Sequence, residues 1–143
     1  MGSINAGRVI LGGLLAGLVV NIGETILNLV VVAQAMEGAL RARNLPPVGG
    51  SAIAGFIALT FLQGIVIVWL YAAIRPRFGA GVRTAAIAGI AVWFLSPFYA
   101  GVAWVLMGVF PAKVTSIGTL WALPEIVVAS IAGAWVYKER SSR

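Results

Sequence analysis

Between Leu18 and Val31 the sequence LVVNIGETILNLVV carries four polar residues inside an apolar run: Asn21, Glu24, Thr25 and Asn28. Their spacing is i, i+3, i+4, i+7, which on an α-helix falls within one arc of about 100°. Gly17 lies in the same arc and Gly13 at its edge, while the rest of the helix is mostly Leu, Val and Ile. A small, polar face of this kind packs against other helices, and Gly13-x-x-x-Gly17 lets a second backbone come close. A second carboxylate, Glu125, follows Pro124 in the last apolar run and shares its helical face with Gly118, Trp121, Ala122, Ala129 and Ala132. An ionised, unpaired acid in lipid costs several kcal/mol or more, so intramembrane acids are functional candidates by default. No Lys, Arg or His lies inside the apolar runs to balance these two. Three chemistries remain: a protonated acid, a proton shared by the pair, or a bound cation. The plain alternative is a neutral acid that hydrogen-bonds one helix to another.

Composition fixes the setting. Apolar residues make up 61% of the 143 and charged residues 10%, with a mean hydropathy of +1.02. Soluble domains run at about 45–50% apolar and about 25% charged, so this chain uses lipid as its solvent. Its net charge of +6 is no nucleic-acid footprint, because the ten cations sit at the ends of the apolar runs and form no dense stripe. There is no cysteine and no histidine. That excludes disulfides, thiolate catalysis and iron–sulfur clusters, and removes the commonest general base and haem ligand. No nucleotide or metal motif is present, so no cofactor is expected and an enzyme is the least favoured class.

Four apolar runs are long enough to cross a bilayer, which takes about 20 helical residues. They cover residues 9–32, 51–74, 85–110 and 116–137 of a single integral membrane domain, 1–143. Arg8 followed by Val9–Val20 resembles a signal peptide, but the run continues without a small-residue cleavage site, which favours an uncleaved span. Pro76 is expected to end the second span. The helix around Pro124 is expected to run through it with a kink, because the Leu120 carbonyl loses its partner and a start at Pro124 would leave the span too short. Short connections predict an all-α, antiparallel four-helix bundle. One side holds seven cations (Arg8, Arg75, Arg77, Arg83, Lys138, Arg140, Arg143) and the other three (Arg41, Arg43, Lys113). The positive-inside bias therefore predicts both termini in the cytoplasm. Trp69, Tyr71, Trp135 and Tyr137 close the second and fourth spans and are expected to anchor them at the interface. Residues 34–44 are expected to extend the first helix beyond the membrane, with Glu37 and Arg41 pairing at i,i+4 and Asn44 ending the helix. The extension reads as a solvated helix, or as a lid or partner surface.

Counting ~1.5 Å per residue from each span's cytoplasmic charge gives depth. Glu24 lies ~24 Å from Arg8, Glu125 ~20 Å from Lys138, Gln63 ~18 Å from Arg75 and Ser96 ~20 Å from Arg83. Thr60 and Tyr99 fall at ~22–24 Å. All four spans thus place polar groups in one layer, and Pro97 frees a backbone carbonyl there, which is tolerated where it is buried or lines a wet cavity. The expected site is Glu24 and Glu125, with Asn21, Gln63, Ser96 and Tyr99 orienting a ligand.

The stretches NIGETILN, WLYAAIRPRFG and LWALPEIVVASIAGAWVYKE resemble a set of small, uncharacterised four-helix bacterial integral membrane proteins. The resemblance covers most of the chain and implies fold and location only: four helices, in a bacterial inner membrane. The expected function is proton- or cation-linked binding or transport of a small solute. The alternative is a non-catalytic accessory subunit of a larger membrane complex. The expected partners are the lipid bilayer and a second copy of the chain or other subunits.

Overall fold

The computed structural model describes residues 3–139; Arg140 and Arg143, counted above among the cations, lie outside them. Helix is the regular structure of the described residues, which form no strand. Helix α1 (Ala6–Ile26) runs into a π-helical turn (Leu27–Val31), followed by α2 (Ala33–Arg41) and α3 (Gly50–Phe78). Next come α4 (Val82–Trp93), a second π-helical turn (Phe94–Phe98), α5 (Tyr99–Leu106) and α6 (Ala112–Val136). Four continuous helical stretches are long and apolar enough to cross a membrane: Ala6–Val31, Gly50–Phe78, Val82–Leu106 and Ala112–Val136.

Local chemistry explains where these stretches stop. The Asn5 side chain accepts the Arg8 N–H at 3.3 Å and starts α1. Contrary to expectation, Pro76 does not end α3. A proline removes one amide donor, here the one owed to the Ala72 carbonyl, and the helix continues past it. Gly79 is the real stop: its φ of 85° is a conformation that a residue with a Cβ rarely adopts. Thr84 Oγ1 then donates to the Gly79 carbonyl at 2.7 Å. The third span ends at Leu106 rather than residue 110, before Gly108, whose φ is 66°. Helix α6 continues through Pro124 as one element, Ala112–Val136, rather than starting there.

The extension after the first span is a separate helix. The π turn and a break at Val32 (φ −113°, ψ 1°) redirect the chain. Val32 packs with Leu27 of the turn and Val114 of α6, and Met36 and Ile117 join them. Arg43 fastens the far end of α2 to the α5–α6 connection by donating to the Gly108 carbonyl at 3.1 Å. Helix α2 ends at Arg41, short of the expected Asn44, which closes the following turn with a φ of 55°.

Small residues hold the bundle together. A Cβ on Gly13 would lie 2.5 Å from the Ile65 Cα, and one on Gly17 2.7 Å from the Phe61 Cα. From the other side, a Cβ on Gly64 would run into the Gly13 carbonyl and the Gly17 amide. Val9, Ala16, Val20, Val68, Ala72, Ala85, Ala88 and Ala129 fill the space between α1, α3, α4 and α6. The Ser130 hydroxyl, fully buried, donates to the Ala85 carbonyl at 2.6 Å and links α6 to α4.

The expected row of four aromatic anchors divides in two. Trp69 and Trp135 are 52% and 87% exposed, whereas Tyr71 and Tyr137 are 4% and 5% exposed. Residues two apart on a helix point about 200° apart, so a Trp facing out turns its partner Tyr in. The two Tyr rings meet edge-on at 6.0 Å. The Tyr71 hydroxyl accepts the Gly81 N–H at 3.3 Å, and that of Tyr137 accepts the Asn5 N–H at 3.4 Å. They knot together one end of the bundle, the end that also carries Arg8, Arg75, Arg77 and Arg83. The opposite end is looser: every residue of α3 from Gly50 to Leu59 is exposed.

Candidate functional site

Helix α1 brings Glu24 and helix α6 brings Glu125 to the same place. The Glu125 carboxyl rests on Gly23, where an added Cβ would collide with Oε1. Glu24 is the next residue along α1 from that contact. The absent side chain at residue 23 makes the space that this carboxyl occupies.

The two acids are held differently. Glu24 is half-buried, and its Oε2 accepts from the Asn28 side-chain amide at 3.0 Å. Both Glu125 oxygens are buried and neither has a hydrogen-bond partner. The backbone amide of Glu24 is nearby but does not reach them in hydrogen-bond geometry. One turn earlier on α6, the Trp121 indole N–H is likewise buried and unbonded. Unsatisfied buried polar groups are rare and call for a specific explanation. Among the described residues neither acid forms an ion pair; the described pairs, Glu37–Arg41 and Arg75–Glu139, are elsewhere.

An open groove of about 330 Å³ lies beside these groups, but the Glu125 oxygens and the Trp121 N–H are buried and do not reach its surface. Its walls are Val19, Ile22 and Gly23 from α1 and Trp121, Pro124 and Val128 from α6, with Glu125 between them. Among the described residues no three His, Cys, Asp or Glu side chains come together.

The other expected site residues are not gathered here. Asn21 lies on the same helix as Glu24, but its amide is spent on the Gly17 carbonyl at 2.9 Å. Thr25 and Asn28 are exposed, so the polar arc is not wholly packed. These side chains bond back to their own helix, Thr25 to the Asn21 carbonyl at 2.7 Å and Asn28 to that of Glu24 at 2.8 Å. Gln63 is half-buried on α3 and makes no side-chain hydrogen bond to a described residue. Ser96 is exposed and Tyr99 is 72% exposed. Both sit at the π turn of the third span, whose wider winding rotates the side chains off the face that a 3.6-residue count assigns. A second cavity of about 330 Å³ between α5 and α6 is lined by Trp93, Phe98, Gly101, Thr115 and Thr119 among others, but by no ionisable group, and neither Ser96 nor Tyr99 reaches it.

Two members of the site were not singled out in the sequence as such. Gly23 sits beside Glu24, outside the polar arc, and shows its role only once α6 is placed against it. Trp121 carries a readable signal, an aromatic one turn from an acid on the same face, but the burial of its N–H is a tertiary fact. The chain matches no family model, no curated protein and no solved structure, so the site rests on its own residues.

Proposed function

We propose that this is an integral membrane protein whose Glu24–Glu125 pair exchanges a proton or a monovalent cation, linking it to the binding or transport of a small solute. One observation carries the reading: the Glu125 carboxyl oxygens are buried inside the span, beside Gly23 and Glu24, with no hydrogen bond and no ion pair to any described residue. A carboxyl that only glued helices together would be bonded across them. This one is not, so it is held for something that arrives.

The same reading places the spans antiparallel, with both termini in the cytoplasm of a bacterial cell. The contacts support the first part. Gly13 meets Ile65 and Gly17 meets Phe61, so numbers rise on α1 as they fall on α3. Gly12 meets Gly133 and Gly23 meets Glu125 in the same opposed order on α6. The cation bias supports the second part.

Glu125→Leu separates this function from a packing role. In both cases the fold survives, because an apolar residue replaces an unbonded polar one. For an exchange site, the wild-type melting temperature in lipid depends on pH and the variant loses that dependence. For a packing role, the two pH profiles coincide and the proposal fails. A second reading, a non-catalytic subunit of a larger complex or of a homodimer, draws support from the exposed first turns of α3, Gly50–Leu59. Co-purification of a stoichiometric partner in mild detergent tests it.

A further inference from the structure

We propose that α2 is a hinged lid over the buried Trp121 N–H and Glu125 carboxyl, fastened shut by the Arg43 guanidinium. Its control of proton access to Glu125 rests on the exchange function proposed above.

One end of α2 is a hinge. The first span closes in the π turn, where the Val32 N–H donates to the Leu27 carbonyl at 2.9 Å, and Val32 alone separates that turn from α2. π turns recur at functional sites, and a hinge needs only a few residues at the end of an element to absorb a change in backbone angle. Before the hinge, α1 is fixed to α3 by the glycine seam. Beyond the far end of α2, residues 44–50 are all exposed, so the connection to α3 does not press α2 onto the bundle.

A seat and a clasp hold it down. Glu37, Gly38 and Arg41 are exposed on the outer face of α2, while Met36, Ala39 and Leu40 are more buried. Val32 and Met36 pack with Leu27 against Val114, Ile117 and Trp121 of α6, which is the whole of this small apolar cluster. At the far end Arg43 donates to the Ala39 carbonyl at 3.0 Å and to the Gly108 carbonyl at 3.1 Å. Its guanidinium lies 5.7 Å from the centre of the Phe110 ring, a cation–π distance, and Phe110 lies 5.8 Å from Trp104 of α5. Among the described residues, no other side-chain hydrogen bond joins α2 to the rest of the bundle.

What lies beneath is polar and cut off. Glu125 rests on Gly23; four residues further along α1, Leu27 packs with Trp121, one turn before Glu125 on α6. The indole and the carboxyl therefore occupy neighbouring steps between the same two helices. Both are buried and neither has a hydrogen-bond partner. The tyrosine knot closes the arginine-rich end of the bundle, and the groove between α1 and α6 is apolar and does not reach these atoms. The way left to water runs past the seat and along Trp121, and α2 covers it. Release of Arg43 lets α2 lift at Val32, which uncovers Trp121 first and Glu125 one turn deeper.

The test follows deuterium exchange at the Trp121 indole N–H by NMR, in the full chain in lipid nanodiscs. An N–H with no hydrogen bond to break exchanges as water reaches it, so its rate reports the open population. The chain has five tryptophans, and Trp121→Phe assigns the signal. Arg43→Ala, which removes hydrogen bonds from a charged donor, is expected to speed the exchange about tenfold. Arg41→Ala, which breaks only the exposed pair with Glu37, leaves the rate unchanged. Met36→Cys with Ile117→Cys, joined by a short bis-maleimide, slows the exchange relative to the same pair unjoined. Spin labels at Gly38→Cys and Gly55→Cys, both in open space, show a second distance once Arg43→Ala is added. If neither the Arg43 change nor the cross-link alters the Trp121 rate, or if the label distance stays single, α2 is no lid. The exchange function is read separately from the Glu125→Leu pH profile. Responsive Trp121 rates with coincident profiles leave a lid over a site that exchanges nothing, and distinct profiles with unresponsive rates leave the exchange site and remove the lid.

Discussion

At the scale of single residues, the site depends on a missing side chain as much as on a charged one. Glycine at 23 leaves the volume that the Glu125 carboxyl fills, and the obstacle an alanine would meet there is the end of a flexible side chain. Gly23→Ala is therefore expected to cost about 1 kcal/mol or less, the low end for added methyl groups, while moving the carboxyl. Infrared spectra of the carboxyl stretch, assigned by Glu125→Gln, will show a shifted band in Gly23→Ala at nearly unchanged melting temperature. An unshifted band would mean that Gly23 does not position the acid. The two acids were legible in the sequence because a charge in an apolar run has few innocent explanations. The ring of helpers was not. Gln63, Ser96 and Tyr99 share a depth with the acids, but depth along a span says nothing about direction around it, and the π turn at Phe94–Phe98 shifts that direction for Ser96 and Tyr99. Asn21 faces the right way and is occupied by its own backbone. Hydrogen-bond satisfaction is a property of coordinates that residue spacing does not contain.

At the scale of helices, contact between backbones sets what each position tolerates. A Cβ at Gly64 meets main-chain atoms of Gly13 and Gly17, which cannot rotate aside. Gly64→Ala is expected to force α1 from α3 and to cost at least about 1–3 kcal/mol, the usual range for overpacking. Unfolding in detergent, monitored beside Gly55→Ala, where nothing lies within 4 Å, measures the difference. Equal stabilities would contradict the close approach. Ser130→Ala removes the bond between α6 and α4 and leaves the Ala85 carbonyl without that donor. The expected loss is about 0.5–1.5 kcal/mol, read from the same unfolding curves, with no change in proton-linked behaviour. The number of spans was legible from four apolar runs, and the glycine seam from its four-residue spacing. The ends were less so. Pro76 looked like a stop, yet one lost amide donor is a smaller obstacle than the reversal at Gly79. The extension after the first span looked continuous because its apolar pattern is; the π turn that redirects it leaves no mark in hydrophobic spacing.

At the scale of the whole molecule, the two ends of the bundle are built for different tasks. The arginine-rich end is tied by Tyr71 and Tyr137, whose hydroxyls hold the backbones of Gly81 and Asn5. Arg75 there lies over the Tyr137 ring at 5.6 Å and 3.7 Å from the Glu139 carboxylate. The other end leaves the first turns of α3 uncovered and places α2 across the start of α6. A closed end facing the cytoplasm and a looser end facing out fit the cation bias, which retains Lys and Arg on the cytoplasmic side. The topology can be tested without background, since the chain has no cysteine of its own. Single cysteines at Val48 and Ala80 sit in exposed connections, away from the left-handed positions Asn44, Gly79 and Gly81, where substitution would strain the backbone. A membrane-impermeant maleimide applied to intact cells will label Val48→Cys and spare Ala80→Cys, and lysis will expose both. The reverse pattern would put the tyrosine knot outside, and labelling of both in intact cells would break the four-span arrangement.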